Sequence, residues 1–179
     1  MDDFFEIPNP KSKKGKFKAR SKSRQSRYQQ SSGDFTCLHC SNPVSANSLL
    51  SGVNNRNHCP ICLWSRHLDM FQAGDRLSAC KGMMEPVGLT LKQTNKKYGP
   101  AAQGELMLIH LCGECGKASI NRIAADDVSE KILEIYQESL SLDPEIGNRL
   151  AQEGICVLGP DDRETVEVQL FGRAAVHFD

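Results

Sequence analysis

A small α+β domain of short strands, short helices and cysteine knuckles, with a basic arm ahead of it and a helical and hairpin extension behind it, is the fold class this 179-residue sequence predicts. Three observations lead there. Cysteines recur as paired turns, Cys37-Leu-His-Cys40, Cys59-Pro-Ile-Cys62 and Cys112-Gly-Glu-Cys115, with Cys80 between the second and third. Net charge is zero over the chain but falls from +6 over residues 1–33, through +3 over 34–125, to −9 over 126–179. Apolar residues alternate over 87–92 and run continuously near 106–111, then switch to helical spacing beyond residue 127.

The paired turns point to metal. A Cys-x-x-Cys turn holds two thiolates at about the bite of a tetrahedral Zn²⁺. One such pair would also suit a redox dithiol, because adjacent thiols lower each other's pKa. Redox chemistry explains one turn and leaves two unexplained. Eight cysteines would also suit a secreted disulfide framework. Against that, the chain runs from Met1-Asp2-Asp3 into lysines without an apolar core, and no stretch approaches the ~18 apolar residues of a membrane span. The expectation is a soluble protein of a reducing compartment, most simply the cytoplasm, with zinc-stapled knuckles.

A structural zinc takes four ligands, so the seven cysteines before residue 128 leave one vacancy for two closed sites. Histidines 39, 58, 67 and 110 compete to fill it. His39 and His58 crowd a neighbouring cysteine, and His110 stays a candidate because it alternates with Cys112. His67 stands clear and is favoured. Two zinc ions are therefore expected, on Cys37, Cys40, Cys59, Cys62, His67, Cys80, Cys112 and Cys115, with Cys156 outside every knuckle. Spacing leaves the pairing open. Cys37/Cys40 can close with Cys59/Cys62, or with Cys112/Cys115 as in a ribbon.

The stretch Arg56-Asn57-His58-Cys59-Pro60 also carries a resemblance. With it go Phe35-x-Cys37-x-x-Cys40, Cys62-Leu63-x-Ser65-x-His67-x-Asp69, Asp75-Arg76 and Cys80-x-Gly82-Met83. The pattern closes on His110-x-Cys112-x-x-Cys115-Gly116, Asn121-Arg122 and Asp126-Asp127. Over about residues 34–127 the chain resembles the RNHCP domain family. That resemblance implies metal binding on a treble-clef or ribbon-like scaffold, agrees with His67 as a ligand, and implies little about activity.

Each element has its own signal. Residues 8–33 combine Pro, Gly, Ser and Gln with nine Lys/Arg, too little apolar surface to offset ordering entropy, so a disordered arm is expected. Phe35–Cys40 reads as a short strand entering a knuckle, and 41–55 as a loop. Residues 63–73 are expected to form a short helix carrying His67. Strands are expected over 87–92 and 105–112, joined by a turn over 94–100, and over 119–123. Met83, Met84 and Trp64 read as core filler. Asp127-x-x-Glu130 resembles a capping box opening a helix over 128–140. Asp143-Pro144 opens a second helix that Gly154 ends. Residues 155–158 and 165–171 are expected to pair as a hairpin across Gly-Pro-Asp-Asp, with Cys156 in its first strand. The domain boundaries that follow are 1–33, 34–127 and 128–179.

The functional expectation is nucleic-acid binding, with RNA favoured. Lys11, Lys13, Lys14, Lys16, Lys18, Arg20, Lys22, Arg24 and Arg27 make nine positive charges in seventeen positions, and no acidic residue lies among them. Phe17 and Tyr28 supply rings that can stack on bases. Arg56, Arg66, Arg76, Lys81, Lys92, Lys96, Lys97, Lys117 and Arg122 would add a basic surface to the zinc domain. Closed four-ligand sites leave no position for a metal-bound water, which argues against zinc hydrolysis. Two other readings compete. One is a zinc-stapled protein-interaction module. The other is a treble-clef, HNH-like nuclease using Arg56, Asn57, His58 as general base, His67, and Asp69 on a catalytic cation. Neither a membrane nor a small-molecule substrate is expected as a partner.

Overall fold

The computed structural model describes residues 33–93 and 104–172. The arm over 1–32, with its nine candidate nucleic-acid contacts, lies outside them, as do the turn over 94–100 and Lys96 and Lys97. The described residues form an α+β fold with two antiparallel sheets. In chain order these are β1 (Phe35–Thr36), β2 (Pro43–Val44), α1 (Ser48–Ser51), β3 (Ser65–Arg66), β4 (Met83–Lys92), β5 (Glu105–Cys112), β6 (Ala118–Arg122), α2 (Ser129–Ser139), α3 (Pro144–Gln152) and α4 (Arg163–Phe171). β1 and β2 pair alone, while the larger sheet runs β3-β4-β5-β6.

β5 is the centre of that sheet, and its continuous apolar run has a simple cause: both faces are covered. On one face Leu106 and Leu108 join Leu89 and Leu63 against Ile132, Ile135 and Tyr136 of α2 and Val166 of α4. On the other face Ile109 and Ala118 pack with Leu150 of α3, together with Ile146, Ile155 and Val157. Residues beyond 127 thus supply helices to both faces of the sheet. The β4–β5 register shifts between Pro86 and Gly88. At Gly88 a Cβ would approach Ser139 Cβ to 3.1 Å and Val157 Cγ1 to 3.2 Å, so the close approach of α2 and of the 155–158 segment leaves little room for a side chain there.

Four expectations are corrected. Residues 63–73 are not a helix. Leu63 has φ +61°, Ser65 and Arg66 pair with Met84 and Met83, and His67 N donates to Gly82 O. Beyond them, carboxylates take the amides that a helix would have used. Asp75 accepts from the backbone N–H of Met70, Phe71, Gln72 and Leu77, and Asp69 from those of Gly74 and Arg76.

Residues 155–158 and 165–171 are not a hairpin. The former, with exposed Cys156, form an irregular segment anchored by Leu158 N to Leu89 O, and the latter are α4. Gly159-Pro160-Asp161-Asp162 proves to be a helix start, with Gly159 N donating to the Asp162 carboxylate. Val166 and Leu170, four residues apart, then face the core together.

The loop over 41–55 contains β2 and α1, the latter capped by Asn47 and ended by Gly52 in the left-handed region. Finally, Asp127 does not cap α2. Val128 occupies that position without a side-chain bond, and the Asp127 carboxylate is used elsewhere. α3 begins as expected, with Asp143 accepting from Glu145 N.

Candidate metal centres and the buried ion network

Three knuckles share one backbone device. In each, the first cysteine's carbonyl accepts from the residue four positions on (Ser41, Leu63, Gly116), and its N–H donates to the carbonyl five positions on (Asn42, Trp64, Lys117). The residue that closes the turn sits at positive φ: Ser41 at +61°, Leu63 at +61° and Gly116 at +72°. Only glycine takes that conformation freely. Leu63 is held there with its side chain fully buried in the core of the sheet.

The knuckles converge in two clusters, Cys37/Cys40/Cys59/Cys62 and His67/Cys80/Cys112/Cys115, with the ligand atoms of each within 4.8 Å of one another. This is the first of the two pairings that spacing left open. In the first cluster Cys37 Sγ lies 3.6 Å from Cys62 Sγ, and Cys40 Sγ 3.6 Å from Cys59 Sγ. In the second, Cys80 Sγ lies 3.7 Å from Cys112 Sγ, and Cys115 Sγ 3.2 Å from His67 Nδ1. All eight cysteines are free thiols.

These separations test the fit of a metal. Zn–S bonds of about 2.3 Å at tetrahedral angles put sulfurs about 3.8 Å apart, and Zn–N of about 2.0 Å puts sulfur and nitrogen about 3.5 Å apart. A disulfide would need about 2.05 Å. The donor sets, Cys₄ and Cys₃His, are those of closed structural zinc sites.

The electrostatics agree. Burial opposes ionisation of Cys59 and Cys62 and pushes both thiols up. Burial also opposes ionisation of Cys40, yet hydrogen bonds from the Asn42 side chain and backbone, with help from Cys62 and Cys59, bring it down to about 6. Four thiolates crowded together cannot all ionise without a compensating cation, and a divalent ion is that cation.

The expected ligands Cys37, Cys40, Cys59, Cys62, His67, Cys80, Cys112 and Cys115 are thus the residues brought together, and the other histidines are employed differently. His110 is fully buried; its Nε2 donates to Leu63 O at 2.7 Å and its Nδ1 accepts from Asn121 Nδ2 at 2.9 Å. Burial holds its pKa down at about 3, so it is a neutral strut between the sheet and the second knuckle. His39 lies flat on Trp64, ring centroids 4.3 Å apart and planes 4° from parallel. Of the residues read as core filler, Met84 is buried, whereas Met83 is exposed.

His58 belongs to an ion network that sequence reasoning missed. Asp127 accepts from Arg56 Nη2 at 2.8 Å, His58 Nε2 at 2.9 Å and Ala124 N at 2.7 Å. Arg56 Nη1 also reaches Asp126 at 2.7 Å, and Arg56 Nε donates to His58 O. The side chains of Arg56 and Asp127 have no exposed surface. Arg56 donates to Asp126 and holds its carboxyl below the usual carboxylate range, against a smaller opposing effect of burial. The network ties the second knuckle to the 124–127 turn, about seventy residues away. The signal was present: Arg56-x-His58 and Asp126-Asp127 both stand in the family pattern, but nothing in one sequence shows that they meet.

Two functional assignments change accordingly. Arg56 is not part of a basic surface, because its guanidinium is spent internally. Residues of the nuclease set are engaged in other contacts as well. His58 is buried on Asp127, His67 stands in a cysteine cluster, and Asp69 accepts backbone amides at 2.8 and 3.1 Å. Of the other cations, Arg122 pairs with Glu105 and Lys117 approaches Glu153, while Lys81 and Lys92 are exposed.

Fold and clusters together define an α+β protein built around two cysteine-rich tetrads positioned for two metal ions, consistent with zinc. The chain belongs to the RNHCP domain family, whose model matches residues 32–133. Comparisons with curated proteins and with solved structures returned no match. Among the described residues no helix is long and apolar enough to cross a membrane.

Proposed function

We propose that this protein binds RNA, using residues 1–33 as a basic arm and residues 34–127 as a scaffold whose two zinc ions are structural. Cys37, Cys40, Cys59 and Cys62 hold one ion, and His67, Cys80, Cys112 and Cys115 hold the other. Four protein ligands at each site fill the tetrahedron, so the metal supplies folding free energy rather than a reactive water. The observation that carries the RNA reading is the run of nine positive and no negative side chains over residues 11–27. Such a run neutralises phosphates and releases condensed counterions, whatever the sequence bound. Exposed Lys81 and Lys92 extend the positive charge onto the scaffold. Residues 128–179, at net −7, form an acidic extension that competes for the arm when RNA is absent. The reducing cytoplasm suits both the thiolates and the ligand.

The test is RNA affinity as a function of salt, for the full chain and for a chain lacking residues 1–33. Each lost phosphate contact on a single strand should flatten the log–log slope by about 0.7. Arm removal should flatten it by several contacts with zinc content unchanged. Equal slopes, or no RNA binding by the full chain, would leave the zinc-stapled protein-interaction module in its place.

A further inference from the structure

We infer that the His39–Trp64 stack is a platform on which one unpaired RNA base sits. The inference rests on the RNA reading above and adds to the arm's phosphate contacts a base contact on the zinc domain itself.

Trp64 is the sole tryptophan of the chain and follows the second knuckle directly; His39 lies inside the first. Their rings are stacked face to face, centroids 4.3 Å apart, planes 4° from parallel. His39 is exposed and Trp64 half-buried, so the inner ring is fixed by the protein and the outer ring meets solvent. The Trp64 backbone is pinned, since its carbonyl accepts from Cys59 N at 2.9 Å within the knuckle. Two rings held parallel lose little freedom when a third flat ring is added, and any base can supply that third ring. Apolar side chains lie on the same two knuckles in solvent: Leu38 is 58% exposed and Ile61 48%. A metal knuckle needs neither residue for its ligands.

The arm makes the arrangement coherent. Residue 33 precedes β1 by two positions, and β1 leads straight into the first knuckle. A strand of RNA gathered by residues 11–27 is therefore delivered to the knuckle that carries His39. Phosphate contacts position, and contacts to bases select. An exposed stack at the root of a basic arm selects unpaired over paired bases, because a duplex base has no free face.

The experiment uses the zinc-loaded full chain and three probes of twelve nucleotides: oligouridine, an abasic strand of equal charge, and an RNA duplex. Tryptophan fluorescence reports this site alone. Oligouridine should quench Trp64 and bind about tenfold more tightly than the abasic strand. His39→Ala should remove that preference while keeping zinc content and the salt slope, and His39→Phe should restore it. Should His39→Ala lose zinc, the wild-type quench and the abasic comparison decide the matter alone. Tight binding of oligouridine with unchanged Trp64 emission and no preference over the abasic strand would overturn the platform and leave the arm standing. Equal affinity for the duplex would do the same. No binding of any probe would overturn both.

Discussion

Asp127 is the most exacting place to test how the fold holds together. Asp127→Asn preserves shape, removes one charge, and turns an acceptor oxygen into an amide group facing the donors Arg56 Nη2, His58 Nε2 and Ala124 N. Arg56, whose side chain is wholly buried, then keeps Asp126 as a counter-charge, at 2.7 Å. Removing one partner of a buried ion pair costs about 3–5 kcal/mol, because the remaining charge is left uncompensated. The surviving Asp126 contact retains part of that, so the expected loss is about 3 kcal/mol. The control is Asp126→Asn. Asp126 pairs with the same guanidinium but its side chain is 39% exposed. Water screens that pair, and the loss should be at most about 1 kcal/mol. Urea unfolding with zinc in fixed excess measures both at constant metal activity. Equal losses for the two variants, or a loss below about 1 kcal/mol for Asp127→Asn, would refute the reasoning. The pH dependence has a definite sign as well. Because Arg56 lowers the folded pKa of Asp126, its contribution is complete above about pH 4 and disappears as pH falls through the lower folded value.

Four further outcomes follow from the geometry. Elemental analysis of reduced protein should give two zinc ions per chain; Cys59→Ser should unfold the first cluster, as structural zinc supplies on the order of 10 kcal/mol, whereas Cys156→Ser should leave metal content unchanged. Zinc release to a chromogenic chelator should rise steeply as pH drops from 7 to 4, since protons compete for the thiolates; a flat profile would contradict thiolate ligation. Gly88→Ala, whose Cβ would meet Ser139 Cβ at 3.1 Å, should destabilise by about 1–3 kcal/mol in the same urea assay. Asp75→Ala should free the four backbone amides the carboxylate now holds, so limited trypsin digestion should cut after Arg76 faster than in the wild type.

Much of the architecture was readable from residues alone because its causes are local or stoichiometric. Three C-x-x-C turns, a seventh cysteine and one well-placed histidine already imply two tetrahedral sites, since coordination number is a property of the metal. The buried run at 106–111 and the helical spacing after 127 announce a doubly covered strand and a packed helix by period alone. What the chain order could not decide is everything that depends on which distant groups meet. Knuckle pairing is one case, because either pairing satisfies four ligands and only the folded backbone brings Cys37/Cys40 to Cys59/Cys62. The segment over 63–73 is another: its helical pattern loses to strand pairing with β4 and to the carboxylates of Asp69 and Asp75. Val166, Val168 and Leu170 alternate like a strand, yet the docking of Val166 and Leu170 against one core face makes them a helix. Arg56 and His58 read as surface or catalytic residues until Asp127, seventy positions away, is brought against them. A buried charge takes its role from its partner, and that partner is chosen only when the tertiary structure forms.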